Sequence, residues 1–257
     1  MKILAIGDVT SPVGAKHLKA NLPRIIKEEN IDFTLINGEN ASFINGISKE
    51  CAEELFLAGA DAITGGNHTM ANFGAQSFLE ESERMLRPIN YGDGAPGRGW
   101  SIIDTGKYRA LVINAMGVVH IEPTLDSPYS FIDKALSECR GGYDVAILDI
   151  HAEATGEKLA IAHYFDGRIN VVFGTHTHVP TADGRILPKG SGYISDLGMC
   201  GESGGILGMD PATVIYKMKN RMPGRFKAAS GEPRADAVVF TVDDKTKKCI
   251  DIKRITF

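Results

Sequence analysis

Nine apolar runs of strand length, several separated by segments with helical spacing, restrict this chain to a sheet-based α/β architecture more than any other feature it has. The runs are "KILAIGD", "FTLINGE", "DAITGGN", "RALVINA", "DVAILDI", "INVVFGT", "GYISDLG", "DAVVFTVD" and "CIDIKRI". Helical spacing is read over 16–29, 49–58, 75–85, 130–139, 157–165 and 211–222. Strand and helix alternate through the first two thirds, which predicts βαβ units with parallel strands. Strands dominate afterwards and add antiparallel pairs. The expected fold is therefore α/β, with two packed mixed β-sheets flanked by helices, an α/β/β/α sandwich. With 257 residues, 43% of them hydrophobic, the chain can bury one sizeable core, and 1–257 is expected to form a single domain. No repeat, low-complexity tract or linker divides it; 91–99, "YGDGAPGRG", reads as its longest loop.

The ends of the runs carry a second pattern. One ends on Asp8, the next on Glu39 and Asn40, the next on Asn67 and His68, another on His151, and "INVVFGTHTH" on His176 and His178. In open α/β sheets ligands bind outside the carboxyl ends of strands, so these residues can share one cleft although they span about 170 positions. Imidazoles mixed with carboxylate and amide oxygens suit manganese, iron or zinc, whereas thiolates are absent and an all-oxygen magnesium or calcium cage would not use three histidines. As many as seven candidate ligands exceed what one tetrahedral ion takes and suit two ions sharing a carboxylate, about 3.5–4 Å apart. His176 and His178 are expected to point to one face of a strand by alternation, one to each ion.

Taken singly, each residue has a plainer explanation. A lone histidine is more often packed or on the surface than a ligand, and His17, His120 and His163 are read that way. Aspartate and asparagine at strand ends are commonly turn residues or caps. Five strand ends carrying ligand types together are not explained so. Two other motifs are set aside. Gly92 to Gly97 matches G-x-G-x-x-G but opens no helix and contains Pro96. Gly201-Glu-Ser203-Gly-Gly205 matches the hydrolase G-x-S-x-G, whose triad histidine follows the serine, and no histidine lies after His178.

Charge and cysteine usage exclude several classes. A formal net charge of -4 without a long basic block argues against duplex nucleic acid or a polybasic membrane anchor. No run approaches the roughly 18 apolar residues of a membrane span. Asp8 interrupts "MKILAIGDV" too early for a signal peptide. Cys51, Cys139, Cys200 and Cys249 form no Cys-x-x-Cys motif and fit a reducing compartment, so a cytoplasmic protein is expected.

The blocks Gly7-Asp8, Gly38-Glu39-Asn40, Gly66-Asn67-His68, His151 and Gly174-Thr175-His176-Thr177-His178 resemble those of the calcineurin-like metallophosphoesterases. Within that superfamily the chain is most similar to the bacterial YmdB-like branch, through "NGEN", "GADAIT", "HAEAT", "GTHTHV", "RILP" and "GILGMD". The resemblance implies the calcineurin-like fold and two divalent metal ions, iron or manganese first and zinc third. It implies that Asp8, Glu39, Asn40 and His178 hold one ion and Glu39, Asn67, His151 and His176 the other, with His68 catalytic beside them. Thr10 stands where the wider superfamily has a histidine, and Asn40 is expected to replace that ligand. Ser11, Ala15, Met70 and Ala71 stand where the branch tends to have glycine, arginine, tryptophan and aspartate, which bears on the substrate pocket rather than on the ligands.

The activity so implied is hydrolysis of 2′,3′-cyclic nucleotides to 3′-nucleotides by a metal-bridging hydroxide, since coordination brings the pKa of water towards about 7. The partner is then a small phosphoester, with neither duplex nucleic acid nor membrane, and the protein is expected to be a homo-oligomer. The alternatives are a phosphomonoesterase or broader cyclic-nucleotide phosphodiesterase, and, from another class, a non-catalytic nucleotide- or RNA-binding regulator. The last lacks a basic stripe with interleaved aromatics.

Overall fold

The computed structural model describes residues 1–42, 46–223 and 227–257. The chain begins with β1 (Lys2–Ile6), β2 (Asp8–Val9), α1 (Ser11–Glu29), β3 (Phe33–Asn37), α2 (Lys49–Ala58), β4 (Ala62–Thr64) and α3 (Gln76–Glu81). It continues with β5 (Trp100–Asp104), β6 (Arg109–Met116), α4 (Tyr129–Glu138), β7 (Val145–His151), α5 (Thr155–Phe165) and β8 (Val171–Thr175). The remainder is β9 (Arg185–Ile186), β10 (Gly192–Ile194), β11 (Met199–Glu202), α6 (Pro211–Asn220), β12 (Pro233–Val242) and β13 (Cys249–Thr256).

Two mixed sheets form, as the alternation of elements predicts. The first has the order β2-β11-β12-β1-β3-β4 with β13 against β12; the second has the order β5-β6-β7-β8-β10-β9. β1, β3 and β4 are parallel, as are β6, β7, β8 and β10. β12 runs antiparallel between β1 and β11.

Alternation along the strands decides the layers. Ile3 and Ala5 of β1 face inward with Phe33 and Leu35, against Val112, Ile147, Val171 and Phe173 of the second sheet. Leu4 and Ile6 face outward and are covered by Leu18, Leu22 and Leu55 of α1 and α2. On the far side Leu111, Ile113 and Leu148 are covered by Ile132, Ile161 and Phe165 of α4 and α5. Strands buried on both faces are why the runs are continuously apolar. The helix–sheet–sheet–helix order leaves the carboxyl ends of β3, β4, β7 and β8 at one edge, where loops can meet.

Some boundaries differ from the sequence reading. α1 starts at Ser11, not 16, because Pro12 suits a first helical turn. α3 stops at Glu81: Arg84 and Leu86 bond to Ile63 of β4, which draws the chain out of the helix. β10, expected among antiparallel strands, is parallel to β8. Among the described residues no helix is long and apolar enough to cross a membrane. The four cysteines are buried and free.

Candidate metal centre

The strand ends converge. Oxygen and nitrogen atoms of Glu39, His151 and His176 lie within 4.8 Å of one another, as do those of Asp8, Glu39 and His178, so Glu39 belongs to both sets. Asn67 joins the first through Oδ1, 3.0 Å from His151 Nε2. Asn40 reaches the site as a donor, Nδ2 giving a 2.6 Å hydrogen bond to Glu39 Oε1. His68 donates its backbone N–H to Glu39 Oε2 at 2.9 Å, and its ring belongs to neither set. The other histidines lie elsewhere, His17 bonding to the Phe257 carbonyl and His120 and His163 being exposed, whereas Ser203, bonded to the Glu232 carbonyl, lines a cavity together with His178. The 92–97 segment is irregular, as its proline predicts.

Hydrogen bonding around the histidines dictates where their protons sit. Thr175 Oγ1 donates to Asp149 Oδ1 at 2.8 Å, so it can only accept from His151 Nδ1, 2.9 Å away. His151 is wholly buried, and burial first, then the neighbouring His176, holds its pKa well below the usual value, so it is neutral. Its Nε2 therefore carries a lone pair. That lone pair faces Asn67 Oδ1 at 3.0 Å, His176 Nδ1 at 3.1 Å and Glu39 Oε2 at 3.3 Å. Glu153 Oε2 lies 3.2 Å from His176 Nε2, and with the ring proton on that nitrogen His176 Nδ1, 3.1 Å from His151 Nε2, is free to bind a cation. With the protons so placed four lone pairs converge, an arrangement that suits a cation, and outer partners that fix ring tautomers are the usual companions of metal-binding histidines.

The carboxylates agree. Asp8 is fully buried; its Oδ2 accepts the His176 N–H at 3.0 Å, and its Oδ1 finds no donor among the described residues. That orphan oxygen lies 3.8 Å from His151 Nδ1 and 3.9 Å from His178 Nε2. Burial, then Asp196, raises the Asp8 pKa to about 8, and burial, then Asp8, raises Glu39 well above its ordinary value. Two carboxyl groups that cannot both ionise alone, beside bare imidazole nitrogens, fit divalent cations.

The two histidines do not reach the site by strand alternation. β8 ends at Thr175, and His176 and His178 have φ of 99° and 62°, left-handed backbone that no strand contains. A turn, not a pleat, brings both rings to the site. Gly66 contributes by lacking a side chain: a methyl there would run into Glu39 Oε2 and His151 Nε2. Gly66→Ala is therefore expected to fold yet lose at least about tenfold in divalent-metal affinity, as when outer partners of a site are disturbed; calorimetric titration with Mn²⁺ checks it, and wild-type affinity would mean the ligand atoms are not held where they stand.

Sequence reasoning missed the residues behind the ligands. Asp149 accepts from Thr64, Asn37 and Thr175 in the core, and burial raises its pKa to about 7. Its signal was an acid in the middle of "VAILDIH", pointing opposite to its apolar neighbours. Glu153 carries no signal beyond its place two residues past His151.

Comparison with known proteins gives three findings of one kind. The family model described as YmdB-like protein matches residues 4–255. The chain is 42% identical over 255 residues, 99% of it and 96% of the relative, to a 2′,3′-cyclic-nucleotide 2′-phosphodiesterase of Bacillus subtilis strain 168. Two crystal structures superpose with a TM-score of 0.92: a protein of Thermus thermophilus, 35% identical, covering 100% of this chain and 99% of that one, and a novel phosphatase of Mycoplasma pneumoniae, 32% identical, covering 100% and 93%.

Proposed function

Because the chain belongs to the YmdB-like protein family and is a metal-dependent phosphoric ester hydrolase, we propose that it opens 2′,3′-cyclic nucleotides at the 2′ ester and releases 3′-nucleotides. One observation carries the reading: two sets of ligand atoms share Glu39 in a chain 42% identical to an enzyme of that name. In this proposal Asp8, Glu39, Asn40 and His178 hold one ion, and Glu39, Asn67, His151 and His176 the other. The mixed nitrogen and oxygen donors suit manganese, iron and zinc alike, and the family likeness puts iron or manganese before zinc. Divalent ions held there supply positive charge for the phosphoryl oxygens and make water nucleophilic at neutral pH.

The chain's own groups do the rest. Asn40 enters through its oxygen, since its Nδ2 is committed to Glu39. His68 follows the ligand Asn67 and is half-buried; burial first, then His176 and His178, lowers its pKa. A neutral imidazole there donates a hydrogen bond to the departing 2′ oxygen as charge develops on it. His68→Ala is expected to keep its metal and lose about 10²–10⁴-fold in kcat; metal loss in that variant would make His68 a ligand instead. At position 70, where the resemblance leads one to expect an indole, Met70 packs against the core and offers no ring to a base.

We extend the proposal to one metallophosphoesterase domain over 1–257 of a cytoplasmic homo-oligomer. The test is turnover of 2′,3′-cyclic AMP by metal-stripped protein refilled with Mn²⁺, with product identified by chromatography. Metal-dependent 3′-AMP is expected. Preferential cleavage of 3′,5′-cyclic AMP or of open monoesters would replace the substrate assignment, and binding without product would point to a regulator.

A further inference from the structure

We propose that the buried ion pair Lys158–Asp196 is a clamp that holds the Thr175–His178 turn in ligand geometry, a positioning device rather than part of the ligand set; the proposal rests on the metal-centre reading above. Lys158 on α5 and Asp196 beyond β10 are each 1% exposed, with Nζ and Oδ2 2.9 Å apart. Neither is among the candidate ligands. What they hold is backbone. Lys158 Nζ also donates to the Thr175 carbonyl at 2.8 Å, and Asp196 Oδ2 also accepts the Thr177 N–H at 3.0 Å. Asp8 Oδ2 accepts the His176 N–H between them, so three consecutive residues are gripped by three buried side chains.

The grip answers a strain. Left-handed backbone is disfavoured for any residue with a Cβ, and His176 and His178 both adopt it within three positions. Left to relax, the turn would take negative φ and swing the rings away from Glu39, His151 and Asp8. Asp196 is itself tied down, accepting the Gly198 N–H on Oδ1 and the Thr181 N–H on its carbonyl. Gly174 lets the backbone next to Asp196 close in: a Cβ there would stand 1.9 Å from the Ser195 carbonyl oxygen and 2.6 Å from Lys158 Cδ. A buried ion pair is a poor source of stability, since apolar residues of similar volume often serve as well. Its charges are explained by the backbone groups they hold.

The test uses the full chain as Lys158→Met, Asp196→Asn and the double variant, each followed by Mn²⁺ titration calorimetry and by thermal melting without metal. Each single variant leaves one buried group unpaired, so lower melting and about tenfold to hundredfold weaker Mn²⁺ binding are expected. The double variant decides. It carries no unpaired buried charge, so its metal-free melting temperature should return towards wild type, while Mn²⁺ binding stays weakened because the Thr175 carbonyl is no longer held. Mn²⁺ affinity that recovers together with melting temperature in the double variant, or wild-type affinity in a folded single variant, would overturn the clamp and leave only a stabilising pair. Wild-type protein that binds no Mn²⁺ would overturn the metal-centre reading itself, before any variant is compared.

Discussion

Glu39→Gln is expected to lose both ions and about 10⁴-fold or more in kcat/KM towards 2′,3′-cyclic AMP, the compound loss of several kcal/mol from each ion. Shape is conserved by the exchange, so the effect isolates charge and hydrogen bonding. Glu39 is the one residue in both ligand sets. Its Oε1 accepts from Asn40 Nδ2 and its Oε2 from the His68 N–H. A glutamine must turn its NH₂ towards one of these donors, which removes a ligand oxygen and sets donor against donor. Metal content by elemental analysis, beside steady-state rates, reads the result. One retained equivalent with near-normal turnover would mean that Glu39 does not join the two positions.

Removal of metal should make stability fall as pH rises from about 6.5 to about 8. The sign follows from the buried carboxyls. Asp8 is raised to about 8 and Asp149 to about 7, with Glu39 raised as well. Groups with raised folded-state pKa contribute fully below their unfolded values, and that contribution is lost as pH climbs through the folded values. His151, His176, His178 and His68 are lowered, so their contribution is complete only above their ordinary value of 6.5 and is lost below it. Above that value the carboxyls act alone, at a cost on the order of 3 kcal/mol, or about 10 °C in Tm for a chain of this size. Bound metal favours the ionised carboxylates and bare imidazoles, so the Tm gain from Mn²⁺ should widen over the same interval. Melting curves with chelator and with Mn²⁺ at several pH values check this; a gain that shrinks with pH would contradict it.

Much of the fold was legible because its strands are buried on both faces and polar residues of ligand type stand at their ends. α2 was readable to the residue, with Ser48 capping Cys51 and Gly59 ending it in left-handed backbone. β5 and β11 were not. "WSIID" alternates over only five residues, and "MCGE" gains its strand character from pairing with β2 and β12 rather than from its own composition. At the site, the residue types at the strand ends pointed to the side chains that the fold brings together, whereas the reason given for His176 and His178 was a strand pleat that the chain does not form there. Lys158 was invisible for a related cause: one lysine in "GEKLAIAHYF" looks like a solvated helix position. Only the packing of α5 over β8 turns it inward.

The placement of β12 has a consequence for the order of events in a cell. β1, whose end leads into Asp8, lies between β3 and β12, and β12 is made from residues 233–242. Until those residues leave the ribosome the first sheet lacks a central strand, although every candidate ligand up to His178 has already been synthesised. A nascent chain released before Pro233 would hold all the candidate ligand residues but lack the strand that completes the sheet beside Asp8. Completion of the Asp8 side of the site is thus expected late, in chains translated nearly to their end.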